Sequence, residues 1–224
     1  MLSLVVLAGD IRDDATCLHW LGLADDIICA DGGARHLQRM MRLPHLLVGD
    51  LDSVGSAALA WIRQQNVPVE RHPVRKDETD AELAIAAAIR RKPTATREQG
   101  IIVLGALGSR PDHVMATQML VASLARPDRA FLLTDGISRV YTLVGGQTLT
   151  LMAPEWPRLE WTVSLVPLSE QLEGLTYTGL DYPLTGARLE RGSTRGVSNR
   201  FTQTGRATVR LSQGLALVFV TTDQ

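Results

Sequence analysis

Apolar and polar positions along residues 1–136 alternate in blocks whose period switches between strand and helix. Leu2 to Ala8 is an unbroken apolar run containing Val5 and Val6, the pattern of a parallel strand covered on both faces. Gly9-Asp10 turns it, and Asp13 or Asp14 caps a helix reaching about Ala24. A second short strand, Asp26 to Ala30, ends in Asp31-Gly32-Gly33, and Ala34 to Arg42 is helical. Leu46 to Val48 is a third strand, and Ser56 to Gln65 the next helix. Val67 to Val74 is extended, but two prolines make it a brief or edge strand. Thr79 and Glu82 have capping-box spacing, so a helix starts there, with Ala81, Ile85, Ala88 and Ile89 as its apolar stripe. Lys92 to Gln99 reads as a surface loop and Ile101 to Leu104 as a strand. The helix from about Asp112 to Ala125 is apolar nearly all round and is expected to be buried; Phe131 to Thr134 is one more strand. Such alternation predicts a parallel sheet with helices on both faces, a three-layer α/β domain.

The texture changes after Asp135-Gly136. Short runs rich in Val, Thr and Leu (140–144, 147–152, 162–167, 207–211 and 215–221) stand between glycines and prolines, and no helical pattern remains. That is the signature of a smaller all-β, sandwich-like or barrel domain. The predicted organisation is α/β for residues 1–136 and β-rich for residues 137–224.

Composition narrows the function classes. Apolar residues at 45% and charged residues at 21% place the 224-residue chain among ordinary globular proteins. A net charge of −1 implies no polybasic face for nucleic acid or an anionic membrane surface. No apolar run approaches the roughly 20 residues of a membrane-spanning helix. The opening MLSLVVLAGDIRDD lacks a basic start and turns polar too soon for a signal peptide, so a cytoplasmic protein is expected. Cys17 and Cys29 fit no metal spacing and read as buried free thiols. Trp156 and Trp161, near Pro154 and Pro157, read as loop aromatics, either interface anchors or packed on their own domain.

The chemistry-bearing residues gather where strands end. Asp50 and Asp52, in LLVGDLDS, follow the third strand with one residue between them, at the edge where open α/β sheets bind ligands. Two anions buried there need a cation, and hard oxygen ligands beside a phosphate crevice suggest Mg²⁺. Asp31, the pair Asp77 and Asp80, and Asp112 recur at other strand ends, so several carboxylates converge on one crevice. Asp80 also suits the helix dipole, and Asp112, three residues after Ser109, also suits a second capping box. Gly105 and Gly108 precede a helix N-terminus, which favours an anion, and Arg110 can pair with a phosphate. No Gly-Lys-Ser/Thr follows, so this is not a Walker loop. Gly32 and Gly33 allow close approach of a ligand to the backbone, and His113 can meet a base or phosphate.

Six segments together resemble the thiamine pyrophosphokinase family, bacterial type: ADGGARHL at 30–37, GDLDS at 49–53, KDETDAELA at 76–84, LGALGSRPDH at 104–113, GLDYPL at 179–184 and GVSN at 196–199. They occur in the family's order across nearly the whole chain. The resemblance implies transfer of pyrophosphate from ATP to the hydroxyl of thiamine, giving thiamine diphosphate and AMP, with Mg²⁺. It further implies a homodimer whose active site lies between one subunit's α/β domain and the other's β domain. By motif match Asp50, Asp52 and Asp80 are metal ligands, and Asp77 falls in the same acidic segment. These four form the candidate catalytic set, with Asp77 or Asp80 as candidate proton acceptors. Asp31, Gly32, Gly33, Gly105, Gly108, Ser109, Arg110, Asp112 and His113 fall to the nucleotide, and Ser198 and Asn199 to thiamine. Arg200 and Tyr177 depart from relatives' patterns near the vitamin pocket.

Other readings compete. An apolar strand ending in Asp-x-Asp is also the first motif of haloacid-dehalogenase-type phosphatases, with Asp50 as nucleophile and Asp52 as acid. That motif usually lies near the N-terminus, and this reading leaves KDETD and GALGSRPDH without a role. A ligand sensor without turnover, and a pyrophosphokinase acting on another alcohol such as a pterin, are the remaining alternatives.

Overall fold

The computed structural model describes residues 2–91, 99–154 and 160–222. Contacts divide the chain into two units, Met1–Val121 with Phe131–Ile137, and Ala122–Ala130 with Ser138–Gln224. The first unit alternates β1 (Leu2–Val6), α1 (Asp14–Leu23), β2 (Asp26–Ala30), α2 (Ala34–Arg39), β3 (Leu46–Gly49), α3 (Ser56–Gln64), β4 (Val69–Arg71), α4 (Asp80–Arg90), β5 (Gln99–Leu104) and α5 (Pro111–Leu124), then enters β6 (Arg129–Thr134). β1 runs parallel to β2 and β5, β2 to β3, and β3 to β4. The strand order is β6-β5-β1-β2-β3-β4, so β4, with its flanking prolines, is an edge strand. From β1 the chain winds outward one way through β4 and resumes on β1's other side with β5. That reversal opens a crevice beyond the C-terminal ends of β1, β2 and β5.

Burial follows the pleat. Leu4 and Val6, Ile27 and Cys29, Leu47, Ile102 and Leu104 point to one face, where they cluster with Cys17 and Leu21 of α1, Leu37 of α2, and Ala58 and Ile62 of α3. Alternating residues face the other way, and α4 packs over β1, β2 and β3 with Ala84, Ile85, Ala87 and Ala88 buried. The sheet is thus covered on both sides. Local caps sit where the spacing predicts: Asp13 accepts the Thr16 N–H at 2.8 Å, and Thr79 accepts that of Glu82 at 3.2 Å.

α5 departs from expectation. It buries Thr117, Val121 and Ala122 along one stripe but leaves Met115 and Met119 68% and 52% exposed. A helix apolar all round shows no preferred face in its sequence; here only one side is covered. Of the expected loop at 92–99, residues 92–98 lie outside the described residues, as does Trp156, and Gln99 opens β5. Among the described residues no helix is long and apolar enough to cross a membrane.

The second unit contains β7 (Arg139–Val144), β8 (Thr148–Met152), β9 (Trp161–Pro167), β10 (Gln171–Thr178), β11 (Ala187–Glu190), β12 (Asn199–Arg200), β13 (Arg206–Arg210) and β14 (Leu215–Thr222). Antiparallel pairing orders them β12-β9-β14-β7 and β11-β10-β13-β8. Trp161 opens β9 and is buried in this unit rather than standing on a loop. β10 is absent from the alternation pattern because the register shifts between Leu172 and Leu175, with Gly174 in the gap at φ +66°. β11 and β12 are too short to carry a pattern.

Candidate active site

A cavity of about 340 Å³ lies in the first unit at the strand reversal. Its walls are Leu7–Gly9 after β1, Ala30–Gly32 at the end of β2, Ser53, Thr79–Ala81 at the start of α4, and, after β5, Gly105, Ala106, Gly108–Arg110, His113, Val114 and Thr117. The loops after β1 and β5 cross at hydrogen-bonding distance, the Gly9 N–H donating to the Gly105 carbonyl at 2.9 Å. His36 steadies this crossing, since its Nε2 lies 2.8 Å from the Gly9 carbonyl and donates to it. Burial holds the His36 pKa below its ordinary value, with Arg39 and Arg35 adding to the depression against the Gly9 contact.

Asp31, Asp50 and Asp52 each offer a carboxylate oxygen within 4.8 Å of the others. β2 and β3 are neighbours in register, Ala30 beside Val48, so the residues after them emerge side by side. Asp31 has φ +29° and Leu51, between the two other acids, φ +73°; neither conformation is comfortable for an L side chain. The Asp50 Oδ1 accepts the Asp52 N–H at 3.1 Å, and the Ser53 hydroxyl donates to Asp52 at 2.7 Å. One oxygen of buried Asp31 accepts the Ser53 N–H at 3.0 Å, while its Oδ1 is buried without a partner. Burial pushes the Asp31 pKa up, and the charges of Asp80, Asp50 and Asp52 push it further, against the Ser53 N–H. The Asp52 N–H and the Lys76 ammonium hold the Asp50 pKa down against burial.

Asp80 stands beside this group. Its Oδ1 accepts from Lys76 Nζ at 2.7 Å, and the same nitrogen lies 3.4 Å from Asp50 Oδ2. Lys76 is a residue the motif reading passed over. It sits in KDETD, yet its contact with Asp50 spans 26 residues and leaves no local signal. Asp77 is exposed and, among the described residues, makes no hydrogen bond or ion pair.

Gly105, Gly108, Ser109, Arg110 and His113 all line the cavity, and Asp112 does not. Arg110 and Asp112 are exposed and paired with each other at 2.6 Å. Gly108 has φ +80°, and a Cβ there would meet the Asp10 carboxylate at 2.5 Å. Gly32 lines the cavity, whereas Gly33 packs on β1, where a Cβ would meet the Val6 carbonyl at 2.3 Å. Leu7–Gly9 and Thr117 are further cavity residues that motif reading did not single out.

In the second unit Ser198 is exposed at φ +61°, its N–H donating to the Ser164 hydroxyl at 2.9 Å. Asn199 is buried and satisfied by its own chain. Its Oδ1 accepts the N–H groups of Tyr182 and Arg200 at 3.0 and 2.9 Å, and its Nδ2 donates to the Tyr182 carbonyl at 2.8 Å. It thereby clips the 179–184 loop, which presents Tyr182 72% exposed.

Known proteins match both units. A family model described as "Thiamin pyrophosphokinase, catalytic domain" matches residues 19–132. A second, "Thiamin pyrophosphokinase, vitamin B1 binding domain", matches residues 150–216. A thiamine pyrophosphokinase of Bacillus subtilis (strain 168) is 26% identical over 181 residues, 81% of this chain and 80% of the relative. A crystal structure of thiamine pyrophosphokinase from Bacillus subtilis superposes with a TM-score of 0.82 at 25% identity, covering 100% of both chains. That of thiamin pyrophosphokinase from Geobacillus thermodenitrificans gives 0.79 at 27% identity, covering 100% of this chain and 99% of the other.

Proposed function

This chain belongs to the thiamine pyrophosphokinase family, and we propose that it transfers the terminal pyrophosphoryl group of ATP to the hydroxyl of thiamine. The thiamine oxygen attacks the β-phosphorus, the bond from that phosphorus to the α,β-bridging oxygen breaks, and AMP leaves as the hydroxyl proton is released. The observation carrying the site assignment is the meeting of Asp31, Asp50 and Asp52 with a buried, unpartnered oxygen on Asp31. The phosphatase alternative draws no support from the matched families.

The donor set fits Mg²⁺. The three carboxylate oxygens lie within 4.8 Å of one another, a hard-oxygen set of the kind that would hold such an ion. The orphaned Asp31 oxygen is an acceptor awaiting a cation. Asp31, Asp50 and Asp52 would hold the ion, with Asp80 adjoining; when bound, it neutralises phosphate charge and orients the polyphosphate. The chain's part is positioning. Gly105, Gly108, Ser109, Arg110 and His113 form the nucleotide wall, with Gly32 opposite. Arg110 can exchange Asp112 for a phosphate. Asp80 lines the cavity and is the better-placed proton acceptor, whereas Asp77 stays a solvent-facing charge. Residues 1–136 carry ATP and Mg²⁺, and residues 137–224 the vitamin. There Ser198 meets thiamine and Asn199 acts by fixing the Tyr182 loop.

The enzyme works as a homodimer with the site shared between subunits, as the family resemblance implies, and in the cytoplasm. Its two free, buried cysteines suit a reducing compartment. The test is AMP release from Mg-ATP across a panel of vitamin alcohols. Thiamine is expected to be the preferred acceptor; release with a pterin alcohol but not with thiamine would overturn the reading.

A further inference from the structure

Lys76 is the only cation among the described residues ion-paired with any of Asp31, Asp50, Asp52 and Asp80. Its side chain is 10% exposed, and its nitrogen bridges Asp80 at 2.7 Å and Asp50 at 3.4 Å. Asp50 is at the same time one of the three carboxylates that converge on a common point, where Asp31 keeps a buried oxygen without a partner. One carboxylate therefore faces two claims: an ammonium tethered to the chain, and whatever cation answers the Asp31 oxygen.

We propose that Lys76 is a tethered counter-cation that makes divalent-metal binding in this crevice depend on the nucleotide. The proposal rests on the pyrophosphokinase reading and adds an order of binding to it. A free divalent ion drawing Asp50 away leaves the Lys76 ammonium with Asp80 alone and facing a like charge, in a place with little access to water, which is costly. A polyphosphate arriving with the metal supplies oxygens to which Lys76 can turn, so the metal–nucleotide complex carries no such penalty. Lys76 thus weakens the site for bare metal and strengthens it for metal-bound nucleotide. Both effects come from the one charge, so both must vanish when it is removed.

The experiment uses the full chain and measures binding without turnover. Mn²⁺ is titrated alone and followed by electron paramagnetic resonance. Separately, a Mg²⁺ complex of an ATP analogue with a methylene group between the α- and β-phosphates is titrated by calorimetry. The variants are Lys76→Met, Lys76→Gln and Lys76→Arg, two neutral replacements guarding against the misfolding of one. Both neutral variants are expected to bind Mn²⁺ alone about tenfold more tightly than wild type and the Mg-analogue complex about tenfold more weakly, whereas Lys76→Arg stays near wild type in both. A simple loss of structure would weaken both ligands. Neutral variants that bind Mn²⁺ no more tightly, or the analogue no more weakly, overturn the proposal. Neither titration contains thiamine, so this outcome is separate from a failure of wild type to release AMP with thiamine, which would sink the functional reading instead.

Discussion

Asp31 in the first unit and Asn199 in the second are both buried polar side chains, 3% and 5% exposed, and they differ in whether the chain satisfies them. Every polar atom of Asn199 has a partner within its own unit. Asp31 keeps one oxygen unpartnered and faces three further carboxylates that raise its pKa. Backbone strain does not separate them, because Asp31 and Ser198, next to Asn199, both have positive φ. Satisfaction does. An unmet buried acceptor costs stability and persists where a ligand repays it, whereas a fully met one is scaffold. Under the proposed function, the difference fits chemistry at the acidic crevice and a positioning task for Asn199.

The strongest test of this contrast is on the acidic side. Asp52→Asn and Asp31→Asn should each lower kcat on the order of 10³-fold, since loss of the metal's charge stabilisation is worth several kcal/mol. Neither should lower the thermal midpoint measured in EDTA, and Asp31→Asn should raise it by relieving repulsion. Near wild-type AMP release by Asp52→Asn at saturating Mg²⁺ would refute the metal assignment.

Asn199→Ala should show the reverse balance. It strands the N–H and carbonyl of Tyr182, so unfolding in urea should reveal a loss of about 2–3 kcal/mol. The KM for thiamine should rise more than that for ATP. If the site is shared between subunits, a differently tagged heterodimer of Asp52→Asn with Asn199→Ala contains one intact site and should recover about half of wild-type AMP release. A heterodimer as inactive as either parent would mean that each site is built from one chain, or that the β-rich unit does not hold the vitamin.

Gly108→Val probes the nucleotide wall. The residue sits at φ +80° and a Cβ would strike the Asp10 carboxylate, so the loop must shift. The KM for ATP should rise about tenfold, equivalent to about 1.4 kcal/mol, with little change for thiamine. An unchanged KM for ATP would move the nucleotide elsewhere.

The smallest effect concerns His36. Its folded pKa lies below the ordinary 6.5, so the unfolded chain takes up the proton first as pH falls. The stability it contributes is complete above that value and is lost as pH falls from there through the folded pKa. Wild type should therefore lose thermal stability on acidification below about pH 6.5, and His36→Gln, which keeps a donor for the Gly9 carbonyl, should lose less. Parallel curves for the two proteins would exclude His36 as the source.

What the sequence determined is local. Continuous apolar runs specify strands buried on both faces, Asp13 and Thr79 specify helix starts, and the acidic and glycine-rich segments each follow a strand. Such features need only a few neighbouring residues to be read, and the six motif segments together were enough to identify the family. The tertiary structure decided which strand ends stand side by side. Strands β2 and β3 pair in register, and neighbouring strands lie about 4.8 Å apart, so Asp31 comes up to Asp50 and Asp52, with Asp80 beside them. The loop before α4 brings Lys76 across 26 residues to Asp50, and the strand reversal at β1 brings Gly9 against Gly105. The exposed face of α5 and the bulge in β10 belong to the same category. Pattern along a chain records which way a side chain turns; only packing fixes which distant side chain, or none, it meets there.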